Sequence, residues 1–477
     1  MHILRSALFG AICSKVVSMK SFIKQFRFSY WLFKSFLSKH VRVIVGVFVG
    51  VFLFIFLTSS FGDFFSAFFS FNKYRVGILS YANQGNLPIE VLNKISLPLV
   101  GYDKKGNLTY QLATNITSTQ KGKGQEYLVT LKHGFLWQDG SILNAQTVDL
   151  KSVAFPRVIT KIKSPDIIAF TLEKPLVSFP SLLTTPLVKQ NFVGAGGQYK
   201  IASIRYKYGE LQQVIITPLV KNMPVLAYKL YNTQEDMVLG YKLGEIDEFS
   251  TYDPAIPPIF LNWRNSHVQT VPDVKKVVTL FMNTKKDPLD NRVIRQAVAQ
   301  GIRYNKFDAY GPRAYTPILP FSWAYNPNVK VYNTDLIVAK GLVDKNNAKG
   351  KILTLYTSYE LHHIAEQIQS SLKEIGLRVT IRYANFIPTS KEEYDMFLII
   401  LEPSIDPDQY IFWHQTQQQT NYSKFTNLKV DKLLEDGRIK KTQKARKDIY
   451  FKFQDILAEE VPALFLYYPN LYIITRK

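Results

Sequence analysis

The stretch "DPDQYIFWHQTQ", Asp406 to Gln417, crowds two carboxylates, three aromatic rings and an imidazole into twelve residues. Such a set could shuttle protons, hold a metal, or grip a cationic ligand between carboxylates and ring faces. A plainer reading uses the same residues as a helix start. Asp406 is placed as the N-cap, Pro407 as the first helical residue and Asp408 at the positive helix end. The stretch is then a loop from strand to helix, and its exposed members line a cleft. Glu402, Asp406, Tyr410 and Trp413 are the candidates.

Catalytic constellations are missing elsewhere. No G-x-S-x-G, H-E-x-x-H or G-x-x-x-x-G-K-[ST] occurs in the sequence. The glycine cluster "GAGGQY", Gly194 to Tyr199, has no helix behind it and reads as a tight turn rather than a phosphate loop. His362, His363 and Glu366 could offer metal ligands one turn apart, but a solvated helix face accounts for them more simply. His133 falls in the turn "KHGFLWQDGS" and reads as solvent-facing. Cys13 is the single cysteine, so nothing beyond it can form a disulfide or a cysteine zinc site. No catalytic residue, metal or cofactor is expected.

The elements that must position these residues show best between Lys351 and Leu401. "KILTLYTS", "LRVTIRYA" and "YDMFLIIL" read as strands. Between the first two, Ile364, Ile368, Leu372 and Ile375 recur at helical spacing, and Gly376 sits where a helix end wants positive φ. Strand, helix, strand implies parallel pairing, so at least one lobe is α/β. Thr233, with Asp236 three residues on, marks another helix start, and Val293, Ala297, Val298 and Ile302 line one side of a third.

Charge is unevenly spread. Residues 1–62 hold eight basic residues and no acid; the remainder holds 51 basic against 37 acidic, a net of +14. Val43 to Gly62 is uncharged for twenty residues, long enough as a helix to cross the ~30 Å core of a bilayer. A cleaved signal peptide is the alternative, but the run is long for one and no A-x-A-like site follows. The basic residues ahead of the run place 1–42 in the cytoplasm and the rest outside. The aromatic "FFSAFFSF" beyond it suits a membrane interface.

Several separated stretches resemble family 5 of the bacterial extracellular solute-binding proteins, the oligopeptide-, dipeptide- and nickel-type receptors of ABC importers. They are "LVGYDKKGNLTYQLATN", "YLVTLKHGFLWQDGSILNAQTV", "VGAGGQYK", "GYKLGEIDEFS", "FMNTKKDPLDNRVIRQAVAQGI" and the closing "NYSKFTNLKVDKLLE … ARKDIYFKFQDILAEEVPALFLY", in family order over about 400 residues. The departures matter too. Gly301-Ile302-Arg303-Tyr304 stands where the family has A-I-D-R. Peptide-binding members carry a Gly-Trp and then an Asp that holds the peptide ammonium. Here "YDMFLIILEPSIDPDQY" lacks the Gly-Trp, and its nearest acids are Glu402 and Asp406.

The resemblance implies an α/β, type II periplasmic-binding-protein fold: two lobes with a hinge and a small extra subdomain; the uncharged run places one N-terminal transmembrane helix ahead of it. The implied layout is a basic cytoplasmic segment 1–42, a span 43–62, lobe I 73–271 with the subdomain at about 96–192, lobe II 272–435, and a return to lobe I over 436–477. The implied function is a membrane-anchored receptor that closes around a short peptide and delivers it to ABC permease subunits. Glu402 or Asp406 would pair with the ligand ammonium, and Tyr410, Trp413, Trp323 and Trp137 would supply walls. A surface receptor for polyanions, drawn by the positive charge, is the second reading; nucleic acid is not the expected partner.

Overall fold

The computed structural model describes residues 73–79, 87–103, 105–384 and 394–477, with a scatter of exposed helical residues between Trp31 and Gly50. Met1–Asn72 and Lys73–Lys477 are separate units. The expected span 43–62 lies largely outside the described residues. Among those described, no helix is long and apolar enough to cross a membrane.

Lys73–Lys477 is built on two large sheets. The first has seven strands, in the order Tyr199–Lys207, Glu210–Pro218, Val225–Tyr231, Lys73–Leu79, Glu248–Thr251, Asn470–Arg476 and Ser266–Pro272. Lys73–Leu79 runs parallel to both its neighbours. The helix Gln234–Lys242 makes the crossover, and the Thr233 hydroxyl caps it by accepting from the Asp236 amide at 3.1 Å, as its spacing predicts.

The second sheet has five strands: Arg378–Tyr383, Ile352–Thr357, Met396–Leu401, Val277–Met282 and Ala463–Tyr467. The first three are parallel, with the helix His362–Glu374 between Ile352–Thr357 and Arg378–Tyr383, as the periodicity requires. Ile364, Ile368 and Leu372 of that helix are buried against the sheet. Gly376 closes it at φ +93°. A third, antiparallel sheet of four strands lies within residues 113–172, over a core of its own that includes Trp137, Phe170 and Phe179.

The chain passes between the large sheets twice. Ser266–Pro272 leads into Val277–Met282, and Ala463–Tyr467 leads into Asn470–Arg476. Both halves of this path are paired, Pro272 with Asn470 on one side and Val278 with Tyr467 on the other. The Asp273 amide donates to the Pro469 carbonyl at 2.8 Å across the gap. The connection is thus one antiparallel ribbon threaded through both sheets.

The second passage falls at 467–470 rather than at the expected 436. Tyr450, Phe453 and Leu457 of the helix Gln443–Glu460 pack with Phe281, Trp413 and Phe465 in the core beside the five-stranded sheet, which keeps this segment there.

Candidate functional site

A cavity of about 480 Å³ lies on one face of the seven-stranded sheet. Tyr74, Val76 and Ile78 alternate along its floor, joined by Leu226, Tyr228, Glu248 and Ser250 from neighbouring strands. Glu90 and Lys94, on the helix Ile89–Ile95, form one wall. Leu79 and Thr251 sit at the carboxyl ends of parallel strands, where open α/β sheets commonly bind ligands. The other sheet contributes Glu360, just past the carboxyl end of Ile352–Thr357.

Most polar groups here already have partners. The Tyr74 hydroxyl donates to Glu248 Oε2 at 2.7 Å. Gln234 accepts from the Thr251 hydroxyl at 2.6 Å and donates to Asp253 at 2.9 Å. The Tyr252 hydroxyl donates to Asp273, on the ribbon, at 2.7 Å, and the Lys276 ammonium lies 4.5 Å from the Tyr252 ring centre. Burial and then the bond to Asp273 push the Tyr252 phenol well up, so it stays a donor.

Glu360 differs. Among the described residues its carboxylate has neither a hydrogen bond nor an ion pair within 4.0 Å. Burial raises its pKa; the charge of Asp253 adds to the rise and Lys276 opposes it. A half-buried acid with no fixed partner, facing a cavity, is a group held ready for a cation. Nothing in "SYELHH" singles it out, beyond its place after a parallel strand.

The residues picked from sequence scatter. Glu402 is 68% exposed and 3.9 Å from Lys276; its charge reaches Tyr252, but it does not line the cavity. Asp406 is committed elsewhere: both its oxygens accept from Arg446, at 2.9 and 2.6 Å. Nor is it an N-cap, because the helix begins only at Tyr410 and lasts one turn; Asp406 and Asp408 instead accept from amides two residues on. Burial is the largest single influence on Arg446 and opposes its charge, but the bond to Asp406, the Asp406 charge and Tyr450 together outweigh it and raise the guanidinium pKa. Asp408 accepts from Arg438 at 2.9 Å and from the Ser178 hydroxyl at 3.1 Å. Arg438 lies 3.8 Å over the Tyr410 ring.

Trp413 and Trp137, expected on a cleft wall, are 0% and 2% exposed in separate cores. Each indole N–H finds an interior acceptor, Gln409 at 3.3 Å and Thr147 at 2.8 Å, so the whole ring can leave water. Trp323 and Asp406 instead line a second groove of about 320 Å³, with Tyr102 and Ser181 of the small subdomain opposite. Burial there pushes the Tyr102 phenol up to about 12.

The glycine cluster is a packing device. A Cβ at Gly194 or Gly197 would fall 2.1 Å from Ile95 backbone atoms. His362 stacks on Tyr359 and donates from Nδ1 to the Tyr359 carbonyl at 2.9 Å, at the edge of the helix.

Residues 221–423 match the family model described as bacterial extracellular solute-binding proteins, family 5, middle. The match spans the middle of the chain. It carries the cavity residues from Leu226 to Glu360, the first passage of the ribbon, and Glu402. The probable D,D-dipeptide-binding periplasmic protein DdpA of Escherichia coli is 25% identical over 413 residues, which cover 74% of this chain and 78% of that one. The oligopeptide-binding protein AppA of Bacillus subtilis is 25% identical over 418 residues, covering 80% and 72%. Among solved structures, NikZ from Campylobacter jejuni in complex with Ni(L-His) superposes with a TM-score of 0.68 at 21% identity, over 85% of this chain and 94% of that one. The fold is therefore that of type II periplasmic-binding proteins, with mixed α/β content. Family 5 proteins are solute-binding receptors, not enzymes.

Proposed function

We propose that this chain is an extracytoplasmic receptor that takes up a short peptide in the cavity over the seven-stranded sheet and presents it to an ABC permease. The observation that carries the reading is Glu360, an acid without a fixed partner among the described residues, at the meeting of the two sheets. A cavity of about 480 Å³ falls in the usual range of ~300–1,000 Å³ for small ligands. Its lining holds Glu90, Glu248 and Glu360 against Lys94, a balance that favours an ammonium and disfavours a polyanion. Glu360, helped by the charge of Glu402, pairs with the peptide's α-ammonium. The floor of sheet and aromatic residues accommodates side chains. The names of the dipeptide- and oligopeptide-binding relatives support peptide as the class.

Closure follows from the ribbon. The two halves, taken as lobes that meet near residue 272, turn about the short links 273–276 and 468–469. Ligand contacts made only when both sheets approach shift the population to the closed form. Residues 43–62 hold the receptor to the membrane as a single span, with 1–42 inside; the uncharged run and its basic lead-in support this.

Calorimetry with di- to pentapeptides tests the reading. Free peptides should bind, and their N-acetylated forms should bind at least about tenfold more weakly, the loss of one charge-assisted contact. Equal affinity for both forms would remove Glu360 from its role, and failure of every peptide would remove the ligand class.

A further inference from the structure

We infer that the end of the seven-stranded sheet at which the chain enters it rests on an anionic lipid surface. The inference builds on the membrane span proposed for residues 43–62. Turns and chain ends meet at this end. Lys73 opens its strand and pairs with Val225. The turn 219–222 leads into that Val225 strand. Lys242 and Leu243 close the crossover helix, and the next residue, Gly244, accepts from Arg75 at 2.6 Å. Arg264 and Asn265 lead into Ser266, and the Lys477 amide donates to the Asn265 carbonyl at 2.9 Å.

These turns expose aliphatic side chains where a water-facing surface would carry polar ones. Leu219 is 49% exposed, Val220 51%, Leu243 67% and Leu261 65%. Around them stand Lys73, Lys221, Lys242, Arg264 and Lys477. Among the described residues at this end, Asp247 is paired with Arg75 and Glu245 with Lys229. Aliphatic tips ringed by cations that have no ion pair among the described residues match the interfacial zone of a membrane with anionic headgroups. The chain itself supplies the reason for nearness. Ten residues separate Gly62, the end of the proposed span, from Lys73, a tether of at most ~36 Å. Leu79, Thr251 and the ribbon lie toward the other end of the same strands.

The test places an environment-sensitive fluorophore at position 243 in full-length protein (Leu243→Cys, with Cys13→Ser) reconstituted in nanodiscs. Discs of phosphatidylcholine alone are compared with discs containing phosphatidylglycerol. The emission should shift to the blue in the anionic discs. A label at Tyr208→Cys, 93% exposed at the far tip of the sheet, should not shift. Lys221→Glu, Lys242→Glu and Arg264→Glu together should abolish the shift while leaving peptide binding unchanged. An unshifted label on a chain that has entered the discs would overturn this inference and spare the anchor. A chain that does not enter the discs would overturn both. A shift that needs native membranes, and not lipid alone, would assign the face to a protein partner and overturn the lipid reading.

Discussion

Two acidic regions flank the second sheet, and they differ in how their charges are partnered. In the groove around Trp323, Asp406 is locked by both its oxygens to Arg446, and Asp408 to Arg438 and Ser178. In the cavity over the first sheet, Glu360 faces open space with no partner of its own among the described residues. The first region has the denser cluster of functional residue types; the second has the freer group. What separates a strut from a binding group is whether its hydrogen-bonding capacity is already used.

Substitutions at the acids should widen that contrast. The largest effect is expected for Asp406→Ala. It strands the Arg446 guanidinium, whose side chain is 7% exposed, and should cost about 3–5 kcal/mol of stability. Denaturant unfolding would measure this; an unchanged midpoint would mean that the pair is solvated and not a brace. Peptide affinity, measured where the variant is still folded, should be close to that of the parent.

Glu360→Gln should do the opposite. Affinity for peptides with a free ammonium should fall about tenfold to a hundredfold, the worth of one hydrogen bond to a charged group. Thermal stability should rise, because burial makes the ionised form costly. An affinity loss matched by a stability loss would mark Glu360 as structural.

The pH dependence sharpens the same point. The Glu360 pKa is raised above the ordinary glutamate value, so the folded state holds the proton over a window in which the unfolded chain has lost it. Stability of the parent relative to the Gln variant therefore falls as pH rises through that window and levels off above the folded-state pKa. Peptide affinity moves the other way: it falls as the solution is acidified, beginning above the usual glutamate range. A parent whose affinity is flat from neutral pH down to about 4.3, the unperturbed value, would contradict this.

The smallest effect belongs to Glu402→Ala. Its carboxylate is 68% exposed and its lysine partner stands 3.9 Å away. A loss of about 0–1 kcal/mol in peptide affinity is expected, readable by calorimetry against the Glu360 variant. A loss as large as that of Glu360→Gln would move the ammonium site to Glu402.

The parts of the fold that were legible in the sequence are local. Ile352–Thr357, His362–Glu374 and Arg378–Tyr383 lie within 32 residues, and their apolar periods switch from two to 3.6 and back in plain view. The cap at Thr233 is equally self-contained. The misplaced features depend on distant partners. Asp406 reads as a cap until Arg446, forty residues on, claims both its oxygens. Trp137 and Trp413 read as walls until Thr147 and Gln409 satisfy their N–H groups inside the core. The importance of Glu360 comes from its burial, then from Asp253, and from the floor of a sheet assembled from both ends of the chain. The return passage left one trace: in "ALFLYYPNLYIITR", Pro469 cannot donate to a ladder, and it divides two strand-like runs where the chain changes sheets.

The threaded ribbon has a topological consequence. Ser266–Pro272 and Asn470–Arg476 pair residue for residue along their whole length, as the two arms of a hairpin would. Everything from Asp273 to Pro469 occupies the position of that hairpin's loop. The half of the protein that carries Glu360 is thus a detour hung from adjacent points, and a two-residue turn in its place would leave every strand of the first sheet present and in register.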